Sequence, residues 1–235
     1  MERKKFLSQS LTALGIAFVA PISKSCSKTD VTGNTDEKGS NYCTTTPTET
    51  AGPFPTKSPS SLMQPNIVGD RTGVALIVKI YITNRNSSCA ALANAIVDIW
   101  QCDAVGNYSE YGGTGMQSTN YASVHWLRGR QITDSNGLVT FTSIFPGWYS
   151  GRAPHIHVHV YNTSGTSLLV TQIAFPTDIC NTVYTSASPY KSRGTQDTQN
   201  ANDNVFSDSL SSELATVTGS ISAGYTLTHT ITVNG

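Results

Sequence analysis

Three histidines alternate in the run His155-Ile156-His157-Val158-His159. Alternation is a strand pattern, in which side chains at i and i+2 leave the same face about 6–7 Å apart along the strand. His155 and His157 therefore project together, and two neutral imidazoles facing one point form a chelating pair. Just upstream, Pro146-Gly147 turns the chain, and Tyr149 and Arg152 follow close enough to line the same pocket. Tyr108 comes after a second turn, Asp103-Ala-Val-Gly106-Asn107. A phenolate is a hard anionic oxygen donor that suits a trivalent metal such as Fe(III), whose charge would draw the phenol far below its free pKa near 10. Iron–phenolate pairing occurs in the haem of catalase. Zn(II) more often takes His, Cys and carboxylate ligands; here the cysteines are dispersed and no acidic residue lies beside the histidine pair. The chemistry these types favour is that of a non-haem iron site.

Each residue also has an ordinary reading. A single His-x-His is common in strands. Tyr149 after Pro-Gly-Trp fits an aromatic packing role, and Tyr108 a turn aromatic. Arg152 fits a surface salt bridge, and Gln172 an edge-strand amide. His159 shares the face of the pair and is read as an outer or solvent-facing residue. His125, before Trp126, is read as structural, and His229 is given no role.

The elements that must position these groups read as strands. Gly73–Thr83 is β-branched, free of proline and stops at Asn84-Arg-Asn86; Ala93–Trp100 is a second strand. Leu127–Ile132 and Leu138–Ile144 flank a hairpin turn at Thr133-Asp-Ser-Asn-Gly137. The histidine strand and Ser167–Phe175 follow, the latter carrying a mid-strand Gln172. Residues 176 to about 205 read as loop, and Leu214–Ile221 with Tyr225–Val233 as a closing hairpin. Helix signals are weak everywhere outside the leader, residues 1–25. The expected fold is all-β: a β-sandwich of mixed strands with long active-site loops, over residues 46–235.

The chain of 235 residues suffices for one sizeable core, and its formal net charge is zero with 13 % charged residues. Without a basic surplus to neutralise phosphates, nucleic acid is not an expected partner. Residues 1–25 read as an export signal: a basic start at Met1-Glu-Arg-Lys-Lys5, an apolar stretch Phe6–Pro21 too short for a permanent span, then small residues. Arg3-Lys4-Lys5-Phe6-Leu7 resembles a twin-arginine signal with lysine for the second arginine. Cys26 is an expected site of lipid anchorage, although Lys24 departs from a lipobox; the other outcome is a secreted protein. Removing residues 1–25 takes four basic residues and one acidic residue, leaving a charge of about −3. Residues 26–45 read as a polar tether. Cys43, Cys89, Cys102 and Cys180 allow two disulfides in three connectivities, or some buried free thiols.

Several separated motifs resemble, in order, those of the intradiol ring-cleavage dioxygenases. They are Ala95-Ile-Val-Asp-Ile-Trp-Gln-Cys-Asp-Ala-Val-Gly-Asn-Tyr108, Leu127-Arg-Gly-Arg-Gln-Ile-Thr-Asp-Ser-Asn-Gly137, Phe141 to Gly147, Tyr149-Ser-Gly-Arg-Ala-Pro-His-Ile-His157 and Thr171-Gln172. The likeness runs from about Thr46 to Val233 and is greatest to the exported single-domain branch near the protocatechuate dioxygenases. It implies that Tyr108, Tyr149, His155 and His157 hold Fe(III), that Tyr149 is the ligand a substrate displaces, that Arg152 stabilises charge developing on the substrate ring, and that Gln172 lines the pocket. It implies cleavage of catechol-type rings by O2 between the two hydroxyl-bearing carbons, to muconate-type diacids, with no organic cofactor. The alternative is an exported β-sandwich lipoprotein that binds a metal or aromatic ligand without turnover. Two features depart from the pattern: the segment between Tyr149 and Arg152 is only two residues long, and no tryptophan follows Tyr149. Both argue against protocatechuate itself as the substrate. The N-terminal helical dimerisation region of the catechol enzymes has no counterpart, so the oligomeric state is left open.

Overall fold

The strand β1 (Ala75–Asn84) shows why two sheets form. Leu76, Val78, Ile80 and Ile82 are fully buried while the residues between them are not, so one face of the strand is apolar and needs a cover. The computed structural model describes residues 43–235. The export signal, Cys26 and nearly all of the tether expected from the sequence lie outside the described residues. In the first sheet, β1 pairs antiparallel with β2 (Ala90–Ala91) and β5 (Leu138–Ile144) along one edge, and parallel with β9 (Gly224–Val233) along the other. The antiparallel strand β8 (Thr216–Ser220) follows β9. The second sheet runs β4 (Arg128–Ile132), β3 (Ile96–Trp100), β6 (His155–Tyr161), β7 (Ser167–Ala174), all antiparallel. The two sheets pack as a β-sandwich with strands of mixed direction, as the sequence predicts. Between them lies a core that includes Leu76, Val78, Ile80, Val97, Ile99, Ile156, Val158 and Val160. Each such aliphatic side chain contributes roughly 1.5–3 kcal/mol on burial. Ile156, Val158 and Val160 thereby hold β6 in place and turn its histidines to the opposite face.

The stretch read as loop after residue 175 contains a helix, α1 (Thr177–Ser186). Pro176 precedes it, and Cys180, Val183 and Tyr184 are buried at helical spacing, so period 3.6 overrides the β-branched composition. Likewise Leu214 is not a strand start: a single helical turn, α2 (Leu210–Glu213), ends there, and β8 begins two residues later. Cys43 and Cys89 form a disulfide, while Cys102 and Cys180 are buried free thiols. Among the described residues no helix is long and apolar enough to cross a membrane.

Glu213 at the end of α2 is fully buried and accepts a hydrogen bond from Ser209 Oγ at 2.7 Å. Burial pushes its carboxyl up to about 7, against the Ser209 bond, and the Glu49 and Asp208 carboxylates add to the rise. The folded state therefore keeps a proton that the unfolded chain has already lost. Stability is expected to decline as pH rises from about 4.5 to 7, and to level off above that. Urea unfolding at pH 5 and 7.5 checks this. Glu213→Gln should remove the decline; an equal decline in the variant would refute the assignment.

Candidate functional site

Register places the first two histidines. His157 stands across from Trp100 on one side and Gln172 on the other, and its ring stacks on Trp100 with centroids 4.9 Å apart and planes 3° from parallel. His155 sits one pleat away on the same face. Gly52, with φ +67°, lets the chain cross this face: a Cβ there would lie 3.0 Å from His157 Cε1. Two turns bring the tyrosines. Gly147 packs so tightly on Asp103 and Ala104 that a Cβ would come within 2.6 Å of their carbonyl oxygens. That contact holds the Tyr149 segment against the Tyr108 segment. Phe54 stacks on Tyr108 at 4.9 Å and meets Tyr149 edge-on at 5.5 Å.

Three lone-pair atoms converge. Tyr108 Oη lies 3.2 Å from His155 Nε2 and 3.4 Å from His157 Nε2, and the two Nε2 atoms are 3.0 Å apart. All three side chains are buried. His155 Nδ1 donates to Ala153 O at 2.6 Å, which fixes its proton on Nδ1 and leaves a lone pair on Nε2. Burial, helped by the Arg152 guanidinium, pushes the His155 imidazole down to about 3. Burial and then His155 and Arg152 hold His157 well below its ordinary value. Burial holds the Tyr108 phenol well above the usual range. Two neutral imidazoles and a phenol too desolvated to ionise alone are a donor set that a cation would satisfy. Among the described residues no three His, Cys, Asp or Glu side chains gather in this way; the third donor that converges on the two imidazoles is the phenol.

Tyr149 shares the cavity but not the convergence: its hydroxyl donates to Met116 O at 2.9 Å. Arg152 lines the same cavity of about 380 Å3, which lies within the range of small-molecule sites. A family model described as Dioxygenase matches residues 51–204, which include every one of these side chains. The chain belongs to the intradiol ring-cleavage dioxygenase family. An intradiol ring-cleavage dioxygenase from Tetranychus urticae superposes with a TM-score of 0.73 at 29% identity, over 82% of this chain and 95% of that one. The dioxygenase domain of a carbohydrate-binding fusion from Streptomyces sp. SirexAA-E gives 0.59 at 25% identity, over 80% and 97%. The protocatechuate 3,4-dioxygenase beta chain of Burkholderia cepacia is 30% identical over 118 residues, 46% of this chain and 49% of that one. The chain thus matches about half the length of that curated relative.

In this intradiol dioxygenase fold the remaining predicted residues take distinct places. Gln172 is expected to line the pocket, but it is fully buried behind Arg152, because its position in β7 puts it under the Thr50 segment. Its Oε1 accepts from Arg152 Nη2 at 2.7 Å and its Nε2 donates to Thr50 O at 2.8 Å. His159 is half-buried away from the site, between Ser167 Oγ and the Tyr161 hydroxyl. His125 pairs with Glu110.

Three residues that sequence reasoning missed support the site. Asp203, with no exposed side-chain surface, accepts from Arg152 Nε at 2.9 Å and from the amides of Ala153 and Val205. Burial alone would raise its carboxyl, but the Arg152 bond and the two amides outweigh it and hold it below the ordinary value. Gln117 accepts from Tyr108 N at 2.6 Å and donates to Tyr108 O and Tyr111 O, which pins the loop that carries the ligand candidate. Arg128 is fully buried and donates to Phe54 O and Ser109 O, tying the Phe54 wall to the Tyr108 loop. Only Arg128 lay in a motif; Gln117 and Asp203 sit in polar, aperiodic stretches.

Proposed function

We propose that this site holds Fe(III) through Tyr108, Tyr149, His155 and His157, and that the chain cleaves catechol-type rings between their two hydroxyl-bearing carbons with O2. The products are muconate-type diacids, which carry both oxygen atoms. The observation that carries the reading is the buried convergence of Tyr108 Oη with the two Nε2 atoms, within 3.0–3.4 Å of one another, beside a guanidinium. Bound iron would supply Lewis acidity for the two catechol oxygens and make the ring reactive toward O2.

The protein's own groups then have separate tasks. Burial disfavours the second proton on both imidazoles, which holds them in the neutral form with a lone pair free for a cation. Tyr149 is the mobile base. It is half-buried at the mouth, and as a phenolate it can take a proton from a catechol hydroxyl and then rest on the Met116 carbonyl, where its hydroxyl lies now. Arg152 presents positive charge to the cavity from a fixed position, set by Asp203 and Gln172, where negative charge develops on the ring. Phe54, Pro53 and Val205 form the apolar part of the wall and keep water from the ring.

The test is the visible absorption spectrum of the iron-loaded protein. A broad tyrosinate-to-Fe(III) band is expected, shifting when catechol is added without oxygen, with ring cleavage on admitting O2. A folded, iron-loaded protein with no visible band would sink the ligand assignment.

A further inference from the structure

We propose that Glu110 is a positioning residue for the iron site, fastening the segment that roofs the cavity to the loop that carries Tyr108. This rests on the iron reading above. The roof is residues 50–57, of which Thr50, Gly52, Pro53 and Phe54 line the cavity. A Cβ at Gly52 would stand 3.0 Å from His157 Cε1, and the Phe54 ring stacks on Tyr108 and meets Tyr149 edge-on. A shift of this segment therefore presses on three of the four ligand candidates. Residues 43–57 form no strand or helix, so no ladder fixes them and single bonds must. Upstream, Glu49 N donates to Val170 O at 2.8 Å and Thr50 O accepts from Gln172 Nε2 at 2.8 Å. Downstream, Arg128 Nη1 donates to Phe54 O and to Thr56 Oγ1, and Lys57 N donates to Glu110 Oε2 at 2.7 Å. Among the described residues the next bond from the segment to another element comes only at Leu62, whose carbonyl accepts from Arg130 N.

Glu110 is built into this junction from every side. Its residue is 1% exposed, and its other oxygen, Oε1, accepts from His125 Nδ1 at 2.8 Å. The Arg128 Nε stands 3.8 Å from Oε2, with both side chains 1% exposed. The backbone of Glu110 has φ +66°, which a residue with a side chain rarely adopts, and its amide donates to Tyr121 O at 2.9 Å and Val124 O at 3.0 Å. Such a conformation persists where the surroundings over-determine it. A buried carboxylate is also costly unless hydrogen bonds and an opposite charge satisfy it, and an apolar residue would fill the space without that cost. What the carboxylate adds is a pair of acceptors in fixed relation, one on the main chain of the roof and one on His125. Tyr108 lies two residues back on the same loop, so the bond to Lys57 N sets the roof against the phenol. Arg128 and Glu110 thus grip successive residues of one segment, the first at Phe54 and Thr56, the second at Lys57.

The visible spectrum of the iron-loaded protein tests this, together with its iron affinity and its kcat and KM for catechol. Glu110→Ala should shift the tyrosinate-to-Fe(III) band and lower iron affinity and kcat/KM by roughly tenfold, the usual scale for losing an outer partner of a metal ligand. Glu110→Gln should recover most of the loss and the wild-type band, because its amide oxygen can accept from Lys57 N while its NH2 donates to His125 Nδ1. Where Glu110→Ala does not fold, Lys57→Pro decides: it deletes the N–H that the carboxylate receives from the roof and should also shift the band. Lys57→Ala keeps that N–H and should leave the band in place. A merely structural role would lower Tm and leave the band and KM of the folded, iron-loaded variants unchanged, and that result would overturn the proposal. So would a Glu110→Gln as impaired as Glu110→Ala, since the loss would then lie in the counter-charge to Arg128. The band is read without turnover. If it is present but catechol is not cleaved, the ring-cleavage reading fails while the band still decides the role of Glu110; if the wild type shows no band, both fail.

Discussion

Tyr108→Phe is expected to abolish iron-dependent stabilisation and to lower ring cleavage by more than about a hundredfold, beyond what losing an outer hydrogen-bond partner costs at a metal site. The change is clean because the ring stays. Phenylalanine keeps the stack on Phe54 and fills the same buried space, so no cavity opens. Among the described residues the lost hydroxyl has only the two imidazole nitrogens as partners, at 3.2 and 3.4 Å. The iron-free variant should therefore unfold within about 1 kcal/mol of the wild type. With iron the two should separate. A ligand present at a hundred times its dissociation constant stabilises by about 2.7 kcal/mol, and a variant that no longer holds it gains nothing. Thermal unfolding with and without iron measures this, and iron content after gel filtration checks it independently. An iron-dependent rise in Tm that survives in Tyr108→Phe would remove Tyr108 from the donor set.

Much of this site was legible in the chain because one strand carries half of it. Alternation in β6 put His155 and His157 on one face, and that inference needs only the period of a strand. Tyr108 and Tyr149 were legible through their motifs, since nothing in local periodicity says that two turns 40 residues apart pack together. That packing depends on Gly147 meeting Asp103 and Ala104, a tertiary contact. Asp203 was illegible for the same reason. It lies in a polar run, and two of its three partners, Ala153 and Arg152, are 50 and 51 residues upstream. Residues 177–186 misled for a local reason: Ile179, Thr182, Val183 and Thr185 are β-branched and weak helix formers, while the burial of Cys180, Val183 and Tyr184 on one face decides for helix. The two free thiols follow from burial, as Cys102 and Cys180 each belong to a core rather than to each other.

Asp203→Asn should destabilise the fold by about 3 kcal/mol and slow ring cleavage roughly ten- to a hundredfold. One carboxylate here accepts three hydrogen bonds: Oδ2 from Arg152 Nε and Ala153 N, Oδ1 from Val205 N. An amide has one acceptor oxygen, so whichever way it is turned a donor must face a donor. The guanidinium also loses its counter-charge while its side chain stays only 15% exposed. The lower end of the buried-pair range applies because that remaining exposure lets water reach Arg152. The kinetic loss comes through position: Arg152 would keep Gln172 as its hydrogen-bond partner but lose the charged anchor, and a guanidinium freer to swing spends less time against the ring. The pH dependence separates this from a merely looser fold. The carboxyl is held below its ordinary value, so its contribution is complete above the unfolded pKa near 3.9 and is lost as pH falls through the lower folded value. The stability gap between wild type and Asp203→Asn, from urea unfolding, should be constant from about pH 5 to 8 and should close below pH 4. A gap of equal size at pH 3 and pH 7 would mean that the carboxylate's charge does not hold Arg152, and that the site is organised by packing alone.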